Sequence, residues 1–217
     1  MVCLVVYCEW PEISRVKFSL SNSLGGKKAE ELYRAFLLDI AEKHSEQEYE
    51  LYFAFEDKLA EPKFAELLPR KNLYVMKGEN LGERIHNIFK DFSISYEKII
   101  VMDSDNPGIS ASTVNDAISL MKSKDAVVGP TTQGGYYLIG MHKAHKLFTD
   151  LEFYKETVLK KTLEQLDEKK LNYALLEKKT IVDSFDTLKK LFEQKDFDEC
   201  KYTAEFLNKL QKAVLRT

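Results

Sequence analysis

Short apolar runs alternate along the chain with longer segments in which apolar residues recur every three or four positions. Val2-Cys3-Leu4-Val5-Val6-Tyr7 is a continuous apolar run, the pattern of a strand covered on both faces. Residues 50–55, 73–76, 99–102, 126–128 and 136–140 predict further strands. After Gly25-Gly26, the residues Ala29, Leu32, Tyr33, Phe36, Leu37 and Ile40 fall on one face of a helix. A second helix carries Ile85, Ile88 and Phe89, and a third spans 111–122. A long loop is expected over 8–17. Beyond Met141 the spacing predicts helices over 143–151 and 154–169, a strand over 173–176 and a short strand over 181–183. Helices over 187–194 and 203–215 close the chain. Strands alternating with helices of this length imply a three-layer α/β fold with a mostly parallel sheet. There is no internal repeat, low-complexity tract or linker, so one domain over 1–217 is the expectation.

The candidate chemistry lies where these runs stop. Ile99-Ile100-Val101-Met102 ends at Asp103-Ser104-Asp105-Asn106-Pro107-Gly108, and Pro107 cannot donate to a sheet ladder. Two carboxylates therefore stand at the tip of a central strand, the edge where open α/β sheets bind ligands. Hard oxygen donors of this kind suit Mg²⁺ or Mn²⁺, which are commonly held by one or two carboxylates plus substrate phosphates. The same D-x-D pattern also makes an Asx turn that leads into the next helix. Asp183 ends another apolar run, and it or Ser184 can equally cap the following helix. Gln133-Gly134-Gly135 reads as a backbone platform beside a substrate or as a plain turn between two strands. The stretch from Gly78 to Gly82 could likewise cradle a nucleotide or serve as a simple loop. Arg15, Lys17 and Arg84 are candidate phosphate partners, each with a solvated surface charge as the alternative. His44, His86, His142 and His145 have no ligand spacing with cysteine and read as surface residues.

Composition narrows the partners. The chain has 217 residues, 44% hydrophobic and 31% charged, with a net charge of −3, so a basic groove for a nucleic-acid polymer is not expected. No apolar run approaches the roughly 20 residues of a membrane span. Cys3, Cys8 and Cys200 lack a CxxC spacing and read as reduced thiols. With no signal-peptide pattern at the start, a cytoplasmic location is the expectation.

Five blocks, with a sixth short segment, carry a resemblance. They are Arg15-Val16-Lys17 with Leu20 and Leu24-Gly25; residues 29–39; Leu81-Gly82-Glu83-Arg84; Ser104-Asp105-Asn106-Pro107; Gly129-Pro130 through Gly134-Gly135 to Gly140; and Val182-Asp183-Ser184. Together they resemble the small GT-A-type transferases described as selenodomain-associated or nucleotide-diphospho-sugar transferases, and more distantly the phospholactate and molybdenum-cofactor guanylyltransferases. The resemblance implies a GT-A fold, a metal at Asp105 with Asp183 as second carboxylate, and a nucleotide near Arg15 and Lys17. With the candidates read above, the expected nucleotide- or substrate-contacting set is Arg15, Lys17, Gly82, Arg84, Asp103, Gly134 and Gly135. The chain departs from the family pattern at Glu9, Ser14, Phe18-Ser19, Gln133 and Ile181. Gln133 stands where an acceptor base would be sought and could at most orient an acceptor.

The expected activity is metal-dependent glycosyl transfer from a nucleotide-diphospho-sugar to a small-molecule acceptor, with Mg²⁺ or Mn²⁺ as cofactor. Asp105 and Gln133 are the catalytic candidates. Nucleotidyl transfer and nucleotide binding without turnover are the alternatives.

Overall fold

The computed structural model describes residues 1–12, 18–148, 151, 153 and 155–214, with the backbone alone at 18, 19 and 212–214. The chain runs β1 (Val2–Tyr7), α1 (Phe18–Leu24), α2 (Gly26–Lys43), β2 (Glu50–Phe55), a 3-10 turn (Lys58–Ala60), α3 (Glu61–Leu67), β3 (Asn72–Val75) and α4 (Leu81–Phe92). It continues β4 (Lys98–Asp103), α5 (Ala111–Leu120), β5 (Ala126–Pro130), β6 (Tyr136–Met141), α6 (Val158–Glu168), β7 (Tyr173–Leu175), α7 (Phe185–Glu193) and α8 (Lys201–Val214). The strands form one seven-stranded sheet in the order β3-β2-β1-β4-β6-β5-β7. Neighbours are parallel except at β6, which runs antiparallel to both β4 and β5.

The continuous apolar runs follow from burial on both faces. Leu4 and Val6 of β1 pack with Leu37 and Ile40 of α2, Phe64 of α3 and Val114 of α5. Cys3 and Val5 point the other way, against Ile85, Ile88 and Phe89 of α4 and Val158 and Leu166 of α6. That alternation makes three layers. A third cluster joins Leu20 of α1 and Leu32 and Phe36 of α2 to Leu188 and Leu191 of α7 and Leu207 of α8. Buried Asp39 of α2 ties α8 down by accepting the Tyr202 and Thr203 backbone N–H groups, at 2.9 and 2.8 Å. No helix among the described residues is long and apolar enough to cross a membrane.

Three expectations are corrected. The described part of 143–151 is not helical, and α6 begins only at Val158, where regular apolar spacing starts. Residues 181–183 form no strand; beside a single bridge between Thr131, just past β5, and Lys179, the segment is held by the Val182 N–H bond to the Asp105 carbonyl and by side-chain hydrogen bonds. His44 is buried: its Nδ1 faces the Tyr49 hydroxyl at 2.6 Å and its Nε2 the Ile109 carbonyl at 3.2 Å. The stretch after β2 is helical at α3 although no helix was expected there.

Candidate active site

β1 and β4 are adjacent parallel strands whose register pairs Tyr7 with Asp103, so both end on the same edge of the sheet. Beyond that edge lies a cavity of about 860 Å³. Tyr7, Asp103 and Asp105 line it together with Gln133, Gly135, Asp183, Arg84 and Glu56.

Within the D-x-D segment the two carboxylates have different surroundings. Asp103 Oδ1 accepts the Asp105 backbone N–H at 2.9 Å, an Asx turn, and its Oδ2 accepts the Tyr7 hydroxyl at 3.0 Å. Burial, together with the nearby Asp103 and Asp105 charges, pushes the Tyr7 hydroxyl far above its ordinary range, so it stays protonated and donates. Ser104 is buried between the two carboxylates and shares a 2.7 Å hydrogen bond with Tyr33, whose oxygen also accepts the Glu9 N–H at 3.2 Å. The loop after β1, helix α2 and the D-x-D segment are thereby joined at one hydroxyl.

Asp183 reaches the same cavity from far along the chain. The Val182 N–H donates to the Asp105 carbonyl at 2.9 Å, which sets Asp183 one residue from a direct backbone link to Asp105. Asp183 Oδ1 accepts the Thr187 hydroxyl at 2.9 Å, while Ser184 is the N-cap of α7 in a capping box with Thr187. Capping and cavity lining, the two alternatives for this acidic turn, are thus divided between neighbouring residues.

The remaining candidates fall as follows. Gln133 lines the cavity, but its amide engages the backbone of Ile181: Nε2 donates to the carbonyl at 2.9 Å and Oε1 accepts the N–H at 3.4 Å. Gly134 has φ +83°, and a Cβ there would strike the Glu156 carbonyl, so the turn requires glycine. Gly135 lines the cavity and donates its N–H to Thr131 Oγ1 at 2.9 Å. Gly82 lets α4 approach the Phe148 carbonyl, a packing constraint. Arg84 forms a bidentate pair with Glu56 at 2.7 and 2.8 Å and donates to the Gly78 carbonyl at 3.0 Å. Arg15 and Lys17 lie outside the described residues. Sequence reasoning missed Tyr7, Tyr33 and Asn106; for Tyr7 the signal was its place at the end of a six-residue apolar run of the same length as β4.

Among the described residues no three His, Cys, Asp or Glu side chains gather as a ready-made metal cage. Asp105 and Asp183 both line the cavity and would offer carboxylate oxygens of the kind Mg²⁺ or Mn²⁺ takes.

Comparison with known proteins places the chain. A family model described as an uncharacterized protein conserved in bacteria (DUF2064) matches residues 39–154, more than half of its length. The chain belongs to this family. Its fold is that of a candidate nucleotide-diphospho-sugar transferase from Desulfovibrio desulfuricans G20, with TM-score 0.89 and 27% identity over 99% of this chain and 96% of that one. A manganese complex of Rv0371c from Mycobacterium tuberculosis H37Rv superposes with TM-score 0.52 at 14% identity, covering 88% and 98%. The 4-diphosphocytidyl-2C-methyl-D-erythritol synthase of Anaerococcus prevotii DSM 20548 gives 0.55 at 10%, covering 86% and 94%. At these lower identities the likeness concerns the fold. No curated protein matches the sequence.

Proposed function

We propose that the protein is a transferase acting on a nucleotide-activated donor, and that its reaction is metal-dependent glycosyl transfer from a nucleotide-diphospho-sugar. The observation that carries this reading is the convergence of Asp105 and Asp183 on one cavity at the carboxyl edge of parallel strands, with the backbones of residues 105 and 182 hydrogen-bonded. The likeness to the Desulfovibrio protein supports the donor class. A bound Mg²⁺ or Mn²⁺ would supply charge neutralisation at the diphosphate.

The chain's own groups have separable tasks. Asp105 and Asp183 would hold the ion, while Asp103 shapes the turn that presents Asp105. Without a counter-charge, two carboxylates at about 4 Å from a phosphate would each cost roughly 4 kcal/mol at an effective dielectric near 20. Arg84 is engaged by Glu56, and a bound ion would supply counter-charge there. Gly135 lines the cavity and lets a ligand approach its backbone, Gly134 packs against the Glu156 carbonyl to make that turn, and Tyr7 keeps Asp103 fixed by donating to it. We read residues 1–217 as one domain.

Nucleotidyl transfer is the second reading, favoured by the fold shared with the 4-diphosphocytidyl-2C-methyl-D-erythritol synthase. The purified protein is incubated with Mn²⁺ and a panel of nucleotide sugars and nucleoside triphosphates. Slow hydrolysis of a nucleotide sugar supports glycosyl transfer, and pyrophosphate release supports nucleotidyl transfer. Binding without turnover of any donor would refute both.

A further inference from the structure

Asp183 sits on a segment with no strand ladder of its own, yet the segment is fastened along both sides. On the β5 side, Lys179 N–H donates to the Pro130 carbonyl at 3.0 Å and Thr132 N–H to the Lys179 carbonyl at 2.9 Å. Thr132 and Thr180 hydroxyls meet at 3.1 Å, and the Gln133 amide grips both backbone groups of Ile181. On the β4 side, Asn106 Nδ2 donates to the Thr180 carbonyl at 2.7 Å and Val182 N–H to the Asp105 carbonyl at 2.9 Å. Asn106 is buried, and its Oδ1 simultaneously accepts the Gly108 N–H at 2.7 Å. Both amides therefore donate into the backbone of two consecutive residues, Thr180 and Ile181, from opposite sides.

We propose that Asn106 and Gln133 are positioning residues: they lock the strap 179–183 in register between the Asp105 loop and the β5–β6 turn, and so hold Asp183 in the ligand-binding geometry. The inference rests on the metal-nucleotide reading above. Neither side chain needs to touch the ion. Their task is to replace the ladder bonds the strap lacks, because its backbone groups must find partners next to a buried loop. Asn and Gln suit this task, since one planar amide both donates and accepts. An aspartate or glutamate at either position keeps the shape but turns the donor into an acceptor that faces a carbonyl.

That reversal gives a test in which position and charge push in opposite directions. Asn106→Asp and Gln133→Glu each add a negative charge near the two carboxylates. If the residues acted only through local charge, Mn²⁺ would bind more tightly. If they position Asp183, binding of Mn²⁺ with a nucleoside diphosphate should weaken by about 10-fold or more, the scale on which partners that orient metal ligands act. Gln133→Met removes both hydrogen bonds without adding charge and should weaken it as well. Affinities are measured by calorimetry on the full chain, together with amide hydrogen exchange without ligand.

Faster exchange at Ile181, Val182 and Asp183, with β1 and β4 unchanged and weaker Mn²⁺-nucleotide binding, supports the proposal. Unchanged exchange across 179–183 overturns it, as does exchange that rises while affinity holds or improves. Failure of the unaltered protein to bind any Mn²⁺-nucleotide pair defeats the functional reading itself, and the ligand-positioning role with it; that result appears in the parent chain and is distinct from a defect confined to the variants.

Discussion

The acid sensitivity of the fold can be worked from one side chain. His44 closes α2 as its C-cap and is buried, with Nδ1 taking the Tyr49 hydroxyl and Nε2 donating to the Ile109 carbonyl. That arrangement needs the neutral ring. Burial, reinforced by the Lys43 charge next to it, lowers the imidazole from 6.5 to about 4. An unfolded chain takes up the proton near pH 6.5, whereas the folded chain resists until about pH 4. Between those values the unfolded state holds more protons, so stability is full above about pH 6.5 and declines as the pH falls towards 4. Each pH unit is worth about 1.4 kcal/mol, and the whole interval removes roughly 3 kcal/mol of the folded state's margin. The assay is urea denaturation followed by Trp10 fluorescence in steps from about pH 7.5 to about pH 4.5. With a urea slope of about 2 kcal/mol per molar, the loss lowers the midpoint by roughly 1.5 M. His44→Gln lacks the titrating group. Its midpoint should start lower but fall less steeply, since only the remaining acids and histidines still titrate. Parallel pH profiles for the two proteins would refute the assignment of this sensitivity to His44.

Three other outcomes follow from the geometry. Mn²⁺ with a nucleoside diphosphate at about 100 times its dissociation constant should add roughly 2.7 kcal/mol, a rise of about 5–10 °C in melting temperature; Asp105→Ala should abolish the rise, and a rise that persists in chelator would contradict the metal-bridged site. Asp39→Ala strands the N–H groups of Tyr202 and Thr203 at the start of α8 and should cost about 3 kcal/mol in denaturant unfolding, with a loss below about 1 kcal/mol counting against the tether. Gly134→Ala forces a Cβ against the Glu156 carbonyl at φ +83°; the left-handed conformation alone costs about 1 kcal/mol, so thermal unfolding should drop by several degrees, and an unchanged melting curve would show that the turn relaxes freely.

Strands were legible wherever burial is two-sided. In β1 the run is apolar throughout and in β4 the four inner positions are, and no competing periodicity fits. The antiparallel course of β6 was not legible, because β5 and β6 are apolar throughout and such runs carry no direction. The strap around Asp183 looked like a strand because Ile181 and Val182 are apolar. Val182 is indeed fully buried, but against α1, α2 and α7 rather than within the sheet. His44 looked like a surface residue for lack of a metal partner; the tyrosine five residues later, which satisfies it, carries no signal in a pattern reading. For the site, the position of Asp105 at the end of an apolar run was readable. The division of labour inside D-x-D was not, since it depends on Tyr7 arriving from a strand some ninety residues earlier.

The hydrogen bond from Val182 to Asp105 also sets an order of events during synthesis. A nascent chain that has emerged through β6 already contains the Asp105 loop and the glycine turn, and the pairings β1–β2, β1–β4 and β5–β6 can form. It has no Asp183, and the Gln133 and Asn106 amides still lack the backbone they grip. Closing a connection of this length adds little entropic cost over a shorter one, but it cannot begin until the late segment has left the ribosome. The cavity's second carboxylate is therefore added to a sheet that is already largely paired. A fragment cut before residue 179 keeps all seven strands but lacks the Asp183 carboxylate, so on the proposed reading the assembly of the sheet and the onset of ion binding are separate steps in the life of the molecule.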